Sequence, residues 1–487
     1  MEIDDLTPAE TSVWRAFAYG HPVDFRTGPD EDATGEDTWG PERTLRASVL
    51  KTLLVSAPQR EGEIAALKVR GARITGTLRL THGVLDHPVS LTHCRFDETP
   101  ELYAVRLRQL NLRGSVLPGL NLGGSRIDGV LRLTDCHLNG PLRLGGAQIA
   151  AALFMERARL VASDGTQATL QLTQAVIGDD LWAPELSVRG ETRLNGTSVS
   201  GTLNIEGARF DHPGATALSA LTLDASADVN ARQVRTRGQV DLRGARIAGR
   251  LDLSHSRLRH PGGVALRASS CVIGELWLSG AEPVRGTLHL RRSRIDVLSF
   301  APEVVPGEVL LNELTFTALT PHEPAERRLP LLERDGEGYV PYAYEQLTAA
   351  YRRIGDDRGA RAVQLAGQRR LRATLPWYGR LWGHLQDITV GYGFRPLRAA
   401  AWLVSLLAAG SLVYALHPPR PLKASESPHF DAVFYTLDLL LPVISFGQEG
   451  AFAPDGWYQA LSYALIITGW VLATTVVTGV TRSVSRQ

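Results

Sequence analysis

LNLRGSVLPGLNLGGSRIDGVLRLTDCHLNGPLRLGGAQI, residues 110–149, is the stretch that decides the fold. Leucine pairs fall at Leu110/Leu112, Leu120/Leu122, Leu131/Leu133 and Leu142/Leu144, and a second apolar position runs Val116, Ile127, Leu138, Ile149. Both series return about every eleven residues, so an inward side chain arrives about every five or six. That spacing is too long for strand alternation and out of phase with a helix. It fits short strands, each followed by a corner, winding as a β-solenoid around a stacked ladder of Leu, Ile and Val. Gly and Ala beside the apolar position (GAR, GSR, GAQ) suit tight corners where a Cβ crowds the turn or φ must be positive.

The same pattern extends in both directions, from GARITGTLRL (71–80) through GTSVSGTLNI (196–205) to GARIAGRLDL (244–253). A solenoid over residues 63–316 is therefore expected. Longer corners at 160–170, 210–218 and 258–266 imply a larger unit of about fifty residues, or two coils. Residues 1–62 are expected to hold an acidic loop, GPDEDATGEDTWG (28–40), and a capping helix in PERTLRASVLKTLL (41–54), with Pro41 at its start and Leu45, Val49 and Leu53 on one face. Residues 317–342 read as a linker. Residues 343–396 read as a helical neck, with Tyr344, Leu347, Tyr351 and Ile354 on one face and a break at GDD (355–357). A further amphipathic stretch from Leu371 to Ile388 reads as an interfacial helix.

Of the 487 residues, 44% are hydrophobic and 21% charged, with a net charge of +1, and the length allows two or more domains. No block dense in Lys and Arg with interleaved aromatics occurs in the first 360 residues, so nucleic acid is not an expected partner. Cys94, Cys136 and Cys271 lie far apart without a C-x-x-C, which suits a reducing compartment better than a disulfide framework. The acidic start MEIDDLTPAE lacks the apolar core of a signal peptide.

Residues 397–487 differ in character. Two charge-free apolar runs, Ala399 to Leu416 and Tyr458 to Val480, flank an apolar hairpin. Each reaches roughly the 30 Å of a bilayer core. Arg395 and Arg398 precede the first run and Arg482 and Arg486 follow the second, while the connecting loop is poor in basic residues. The positive-inside rule then gives a multi-pass protein of the cell inner membrane with both termini cytoplasmic and the lipid bilayer as a partner.

Fragments such as LNLRGSVLPGLNLGGSRI resemble pentapeptide-repeat β-helices. VGYGFRPLRAAAWLVSLL (390–407) resembles the segment before the first span in bacterial proteins that join pentapeptide repeats to a two-helix ion-channel module, the matching residues being Tyr392, Gly393, Arg395, Pro396 and Arg398. More narrowly, PHFDAVFYTLDLLLPVISFGQE and LSYALIITGWVLATTVVTGVTR are similar to a group of bacterial membrane proteins commonly labelled "membrane-associated oxidoreductase". The first resemblance implies a fold of β-solenoid, helical neck and two transmembrane helices around a re-entrant loop, here residues 430–448.

In such a module a short helix descends, a carbonyl-lined strand returns, and a glycine-hinged inner helix follows. Phe430 to Leu441 fits the descending helix, with Asp431 near its positive end and Pro442 as its stop. The pore-loop candidates are Thr436, Asp438, Pro442, Ser445, Phe446, Gly447, Gln448 and Glu449, with Gly469 as a hinge or packing glycine. T-x-G-Y-G is absent, so potassium selectivity is not implied. Asp438 stands out, because a carboxylate in an apolar setting needs water, a partner or an ion.

No dinucleotide fingerprint, P-loop, H-E-x-x-H, nucleophile elbow or C-x-x-C is present, so an enzyme is not expected, and no catalytic residue, cofactor or metal site is assigned. Against the oxidoreductase label stands the absence of a dinucleotide-binding unit. Two functions remain in view. One is a pore-loop, ion-channel-like membrane protein, a homo-oligomer (a tetramer by analogy) that passes ions, with the solenoid sensing or assembling. The other is a membrane-anchored scaffold whose solenoid recruits a cytoplasmic protein partner.

Overall fold

A chain that places an apolar side chain inward about every five or six residues must turn a corner between those side chains, and repeated corners close into coils. In the computed structural model this is what residues 67–320 do. The described residues are 5–28, 31, 33, 39–56, 62–161, 167–280, 282–374, 376, 377, 396–422, 429–441 and 445–484, with side chains omitted at 396–399 and 473–484. The chain divides into two units, Met1–Arg353 and Ile354–Gln487.

The first unit is a β-solenoid of about eleven turns. A coil carries four short strands, as in Arg126–Ile127, Leu131–Arg132, His137–Leu138 and Leu142–Arg143. Every strand pairs in parallel with its counterpart one coil away: Leu131 with Leu110 and Leu153, Leu142 with Leu120 and Leu170. The leucine pairs at 110/112, 120/122, 131/133 and 142/144 are all buried, as are Ile127, Leu138 and Ile149. Val116 departs from the expected series. It faces outward opposite His137, and its neighbour Leu117 is the fully buried residue, because the half-coils on either side of it, Leu107 to Leu117 and Leu117 to Ile127, are each one residue shorter than those that follow.

Most half-coils turn at one residue with positive φ, among them His93, Gly114, Gly124, Asp135 and Gly146. The residue that follows is small and buried: Cys94, Ser115, Ser125, Cys136, Ala147. Several of these side chains donate to a carbonyl of the coil below. Ser115 bonds Leu91 at 2.8 Å, Cys136 bonds Leu112 at 3.0 Å, Thr197 bonds Leu172 at 2.8 Å and Cys271 bonds Leu242 at 2.9 Å. The cysteines thus occupy a structural column of small donors, and burial pushes the Cys94 and Cys136 thiols up to about 12.

The two-coil unit has a physical cause. The long corners of strands Arg209–Ser219 and Arg257–Arg267 alternate with tight ones at Gly238 and Gly286, whose φ values are +122° and +126°. A Cβ on Gly238 would collide with the His212 carbonyl and stand 2.7 Å from the Ala215 oxygen, so only glycine lets the short corner nest under the long one.

Helices close the ends of the ladder. The N-terminal α1 (Pro8–Phe17) starts in a capping box between Thr7 and Glu10. Glu10 is 1% exposed and binds Arg46 through both carboxylate oxygens, at 2.8 and 2.7 Å. The expected capping helix begins six residues late. Pro41–Arg43 is a 3₁₀ turn, Thr44–Arg46 pairs with Arg73–Thr75, and only Ala47–Ser56 forms α2. Leu45, Val49 and Leu53 are buried as expected, but Leu45 is held by the strand rung to Ile74, which overrides the helical start. Most of the acidic loop lies outside the described residues. At the other end are α3 (Ala325–Glu333) and α4 (Pro341–Arg353), with Tyr344, Leu347 and Tyr351 buried. Arg328, 2% exposed, donates to the carbonyls of Phe300 and Pro321.

The second unit contains α5 (Asp357–Thr374), α6 (Pro396–Leu416), α7 (Ala432–Leu440) and α8 (Trp457–Val484). Ile354, expected on the buried face of the neck, is 60% exposed. Helices α6, α7 and α8 pack on one another around Tyr414, Tyr435, Leu439, Leu440, Phe452 and Leu465. Among the described residues no helix is long and apolar enough to cross a membrane. This corrects the expected placement as a multi-pass protein of the cell inner membrane with both termini cytoplasmic. A span needs about 20 consecutive apolar residues. The charge-free part of α6 starts after Arg398 and takes in Ser405, Gly410 and Ser411, and α8 carries Gln459, Ser462 and Thr468 along its first half. Among the described residues a pore loop has no spans to hang from.

Candidate functional site

Strand alternation sends the middle residue of a three-residue strand inward and its two neighbours outward. In Ser187–Arg189, Arg209–Asp211, Arg235–Arg237 and Arg257–Arg259 the middle residues Val188, Phe210, Thr236 and Leu258 are buried. The outward neighbours therefore form two columns. In the first, Arg209, Arg235 and Arg257 are consecutive register partners above Ser187. In the second, Arg189, Asp211, Arg237 and Arg259 follow one another, and Arg259 pairs onward with Arg285. Together they line an open cleft of about 360 Å³.

Like charges directly opposite one another on neighbouring strands destabilise a sheet. Elsewhere carboxylates of adjacent coils offset it: Arg73, opposite Arg95, meets Asp97 at 3.0 Å, Arg106, opposite Arg126, meets Asp128 at 3.3 Å, and Arg157 and Arg250 meet Asp135 at 2.8 Å and Glu275 at 3.0 Å. The cleft is only partly matched. Asp211 reaches Arg237 at 3.6 Å, and Glu282 sits across Arg257 at 3.4 Å and Arg259 at 3.0 Å. The hydrogen bond from Arg259, with Arg257 beside it, holds the Glu282 carboxyl below the usual range. Arg189, Arg209 and Arg235 form no ion pair among the described residues. In sequence the arginines are scattered singly or as R-x-R (RTR, RLR). The available signal is that R-x-R recurs at the same repeat position in successive coils.

The residues singled out in the hairpin come together differently. Asp431 caps α7, accepting from the amides of Val433 at 2.8 Å and Phe434 at 3.2 Å. Asp438 is 5% exposed. Its carboxylate accepts from the amides of Phe446, of Gln448 at 2.7 Å and of Glu449 at 3.2 Å, so its partner is the loop's own backbone. Gly447 supplies a φ of +79° between them. The Gln448 side chain donates to the His429 carbonyl at 3.1 Å, which ties the loop to the start of α7. Thr436 is buried and bonds the Ala432 carbonyl at 2.8 Å, whereas Ser445, Phe446 and Glu449 are exposed. Gly469 is a packing glycine: a Cβ there would stand 2.7 Å from the Leu440 Cα, where α8 crosses the end of α7. Pro442, Tyr392, Gly393 and Arg395 lie outside the described residues, and Pro396 and Arg398 fall in the first turn of α6.

Comparison with protein-family profiles, with curated proteins and with solved structures finds no match.

Proposed function

We propose that this chain is a β-solenoid scaffold for protein–protein interaction. One observation carries the reading. Over about eleven turns the outward side chains stand in fixed register while Leu, Ile and Val fill the interior, so the chemistry on offer is an extended, regular outer surface. Solenoids of this kind present long binding faces because each repeat adds one more rank of side chains to the same face. The arginine columns are a part of that surface only partly matched by carboxylates among the described residues.

The test is site-specific photocrosslinking in the full chain. A photoreactive residue replaces Gln148, Arg235 or Arg246, one at a time, all outward and exposed. A scaffold gives discrete protein adducts at a contiguous set of coils on one face. A diffuse background equal at every position overturns the reading.

A further inference from the structure

We infer that the two arginine columns between Ser187 and Arg259 dock an extended acidic segment, rich in Asp or Glu, of a partner protein. The inference rests on the scaffold reading and names the chemistry of what that scaffold holds.

Three observations lead to it. First, the stacking is unfavourable for folding alone. Arg209, Arg235 and Arg257 are direct register partners, on strands about 4.8 Å apart, and among the described residues the first two form no ion pair. Stacked arginines elsewhere, Arg73 on Arg95 and Arg106 on Arg126, have an Asp one coil away, a remedy that this face uses only for Arg237, Arg257 and Arg259.

Second, two of the arginines that line the cleft already hold a carboxylate. Glu282 lies across Arg257 and Arg259, an i, i+2 pair on one strand, at 3.4 and 3.0 Å. That is a carboxylate side chain seated on a pair of outward guanidiniums. One coil below, Arg235 and Arg237 repeat the pair in register. Asp211 reaches Arg237 at 3.6 Å, and among the described residues Arg235 forms no ion pair.

Third, the spacing suits an extended peptide. Alternate side chains of an extended strand lie about 6.6–6.8 Å apart, the same distance as the two arginines of each i, i+2 pair. A segment with an acidic residue at every second position, laid along the coil, meets both columns. Guanidinium forks bind carboxylates in charge-assisted, often bidentate geometry, which rewards this arrangement over a diffuse positive field.

The experiment measures binding of a fluorescein-labelled peptide of alternating Glu and Ser to the full chain, by anisotropy at low and moderate salt. The expected result is saturable binding that weakens with salt and is absent for the peptide with Gln in place of Glu. The double variant Arg209→Gln/Arg235→Gln should bind at least about tenfold more weakly. Its melting temperature should hold or rise, since stacked like charges have been removed. The control Arg106→Gln/Arg126→Gln, whose arginines face Asp128, should bind as the parent does. Equal affinity for the Gln peptide, or no loss in the double variant, overturns the inference. So does inorganic tripolyphosphate binding through the same two arginines more tightly than the Glu peptide. If adducts at Gln148 and Arg246 persist in the Arg209→Gln/Arg235→Gln chain, the scaffold stands and the acidic docking falls; loss of all adducts in the parent chain brings down both.

Discussion

The coils and the hairpin solve one problem, the satisfaction of buried backbone groups, in opposite ways. In the solenoid each strand's amides and carbonyls are met by the coil above and the coil below, and a column of Ser, Cys and Thr side chains serves the corner carbonyls over and over. In the loop after α7 a single carboxylate, Asp438, takes three amides at once, and nothing repeats. Periodic solutions spread the load over neighbours and tolerate variety at any one position, which is why Cys, Ser, Thr and Ala all occur in the corner column. A solitary hub has no such latitude.

The largest effect expected is in the ladder. Leu131 is fully buried between Leu110 and Leu153, so Leu131→Asp removes its packing and places an unpaired carboxylate among leucines. A loss of about 5 kcal/mol follows from the two contributions together. Urea unfolding followed by the strand signal in circular dichroism reads it. Because each coil relies on its neighbours, amide exchange should quicken in the adjoining coils, while the amides of Phe446, Gln448 and Glu449 stay as protected as before. Loss of protection in both places at once would break the contrast drawn above.

How much of this is legible in the sequence differs between the two regions for the same reason. The leucine pairs announce the ladder because every half-coil repeats the demand for an inward side chain, and a slip of one residue at Val116 does not hide it. The arginine columns are invisible to a search for basic blocks, since the residues that meet in space are separated by a whole coil. That coil is not of fixed length: the step is 20 residues from Arg106 to Arg126 and 28 from Gln148 to Val176. Leu45 reads as helical because local spacing favours it, but a strand rung to Ile74 is a long-range fact. The apolar runs near the C-terminus are legible as helices. Their environment is not, because apolarity alone does not distinguish lipid from neighbouring helices. Here Tyr414, Tyr435 and Leu465 bury one another. Asp438 is conspicuous in the sequence, yet its three amide partners follow from a turn at Gly447 that local pattern does not specify.

The middle effect is on the hub. Asp438→Ala strips three amides of their acceptor in a site that is almost closed to water, a loss of about 3 kcal/mol confined to the loop. Hydrogen exchange at Phe446, Gln448 and Glu449 should quicken by about a hundredfold, with the solenoid amides unchanged. Asp438→Asn keeps one acceptor oxygen and should fall between the two. If the alanine variant leaves these three amides protected, the loop is held by its flanking packing and Asp438 is no hub.

The smallest effect tests how far the corner column buffers its members. Burial pushes the Cys136 thiol up to about 12, because the thiolate would have no water around it. In the unfolded chain the same thiol titrates near about 8.5–9. Below that range both states hold the proton and its contribution to stability is complete. As the pH rises above it, the unfolded chain sheds a proton that the folded chain keeps, so stability drains away until the folded thiol itself ionises. Between pH 7 and pH 9 the loss is about 0.5 kcal/mol for this one thiol, steepening toward about 1.4 kcal/mol per pH unit beyond. Cys136→Ser supplies a hydroxyl that can donate to the Leu112 carbonyl as Ser115 does to Leu91, and a hydroxyl does not titrate in this range. The variant should therefore match the parent to within about 1 kcal/mol at pH 7 and lose less stability on going to pH 9 or 10. Urea midpoints at the three pH values measure it. Parallel losses in parent and variant would mean that the corner thiol already meets solvent, and that the column is looser than the ladder it closes.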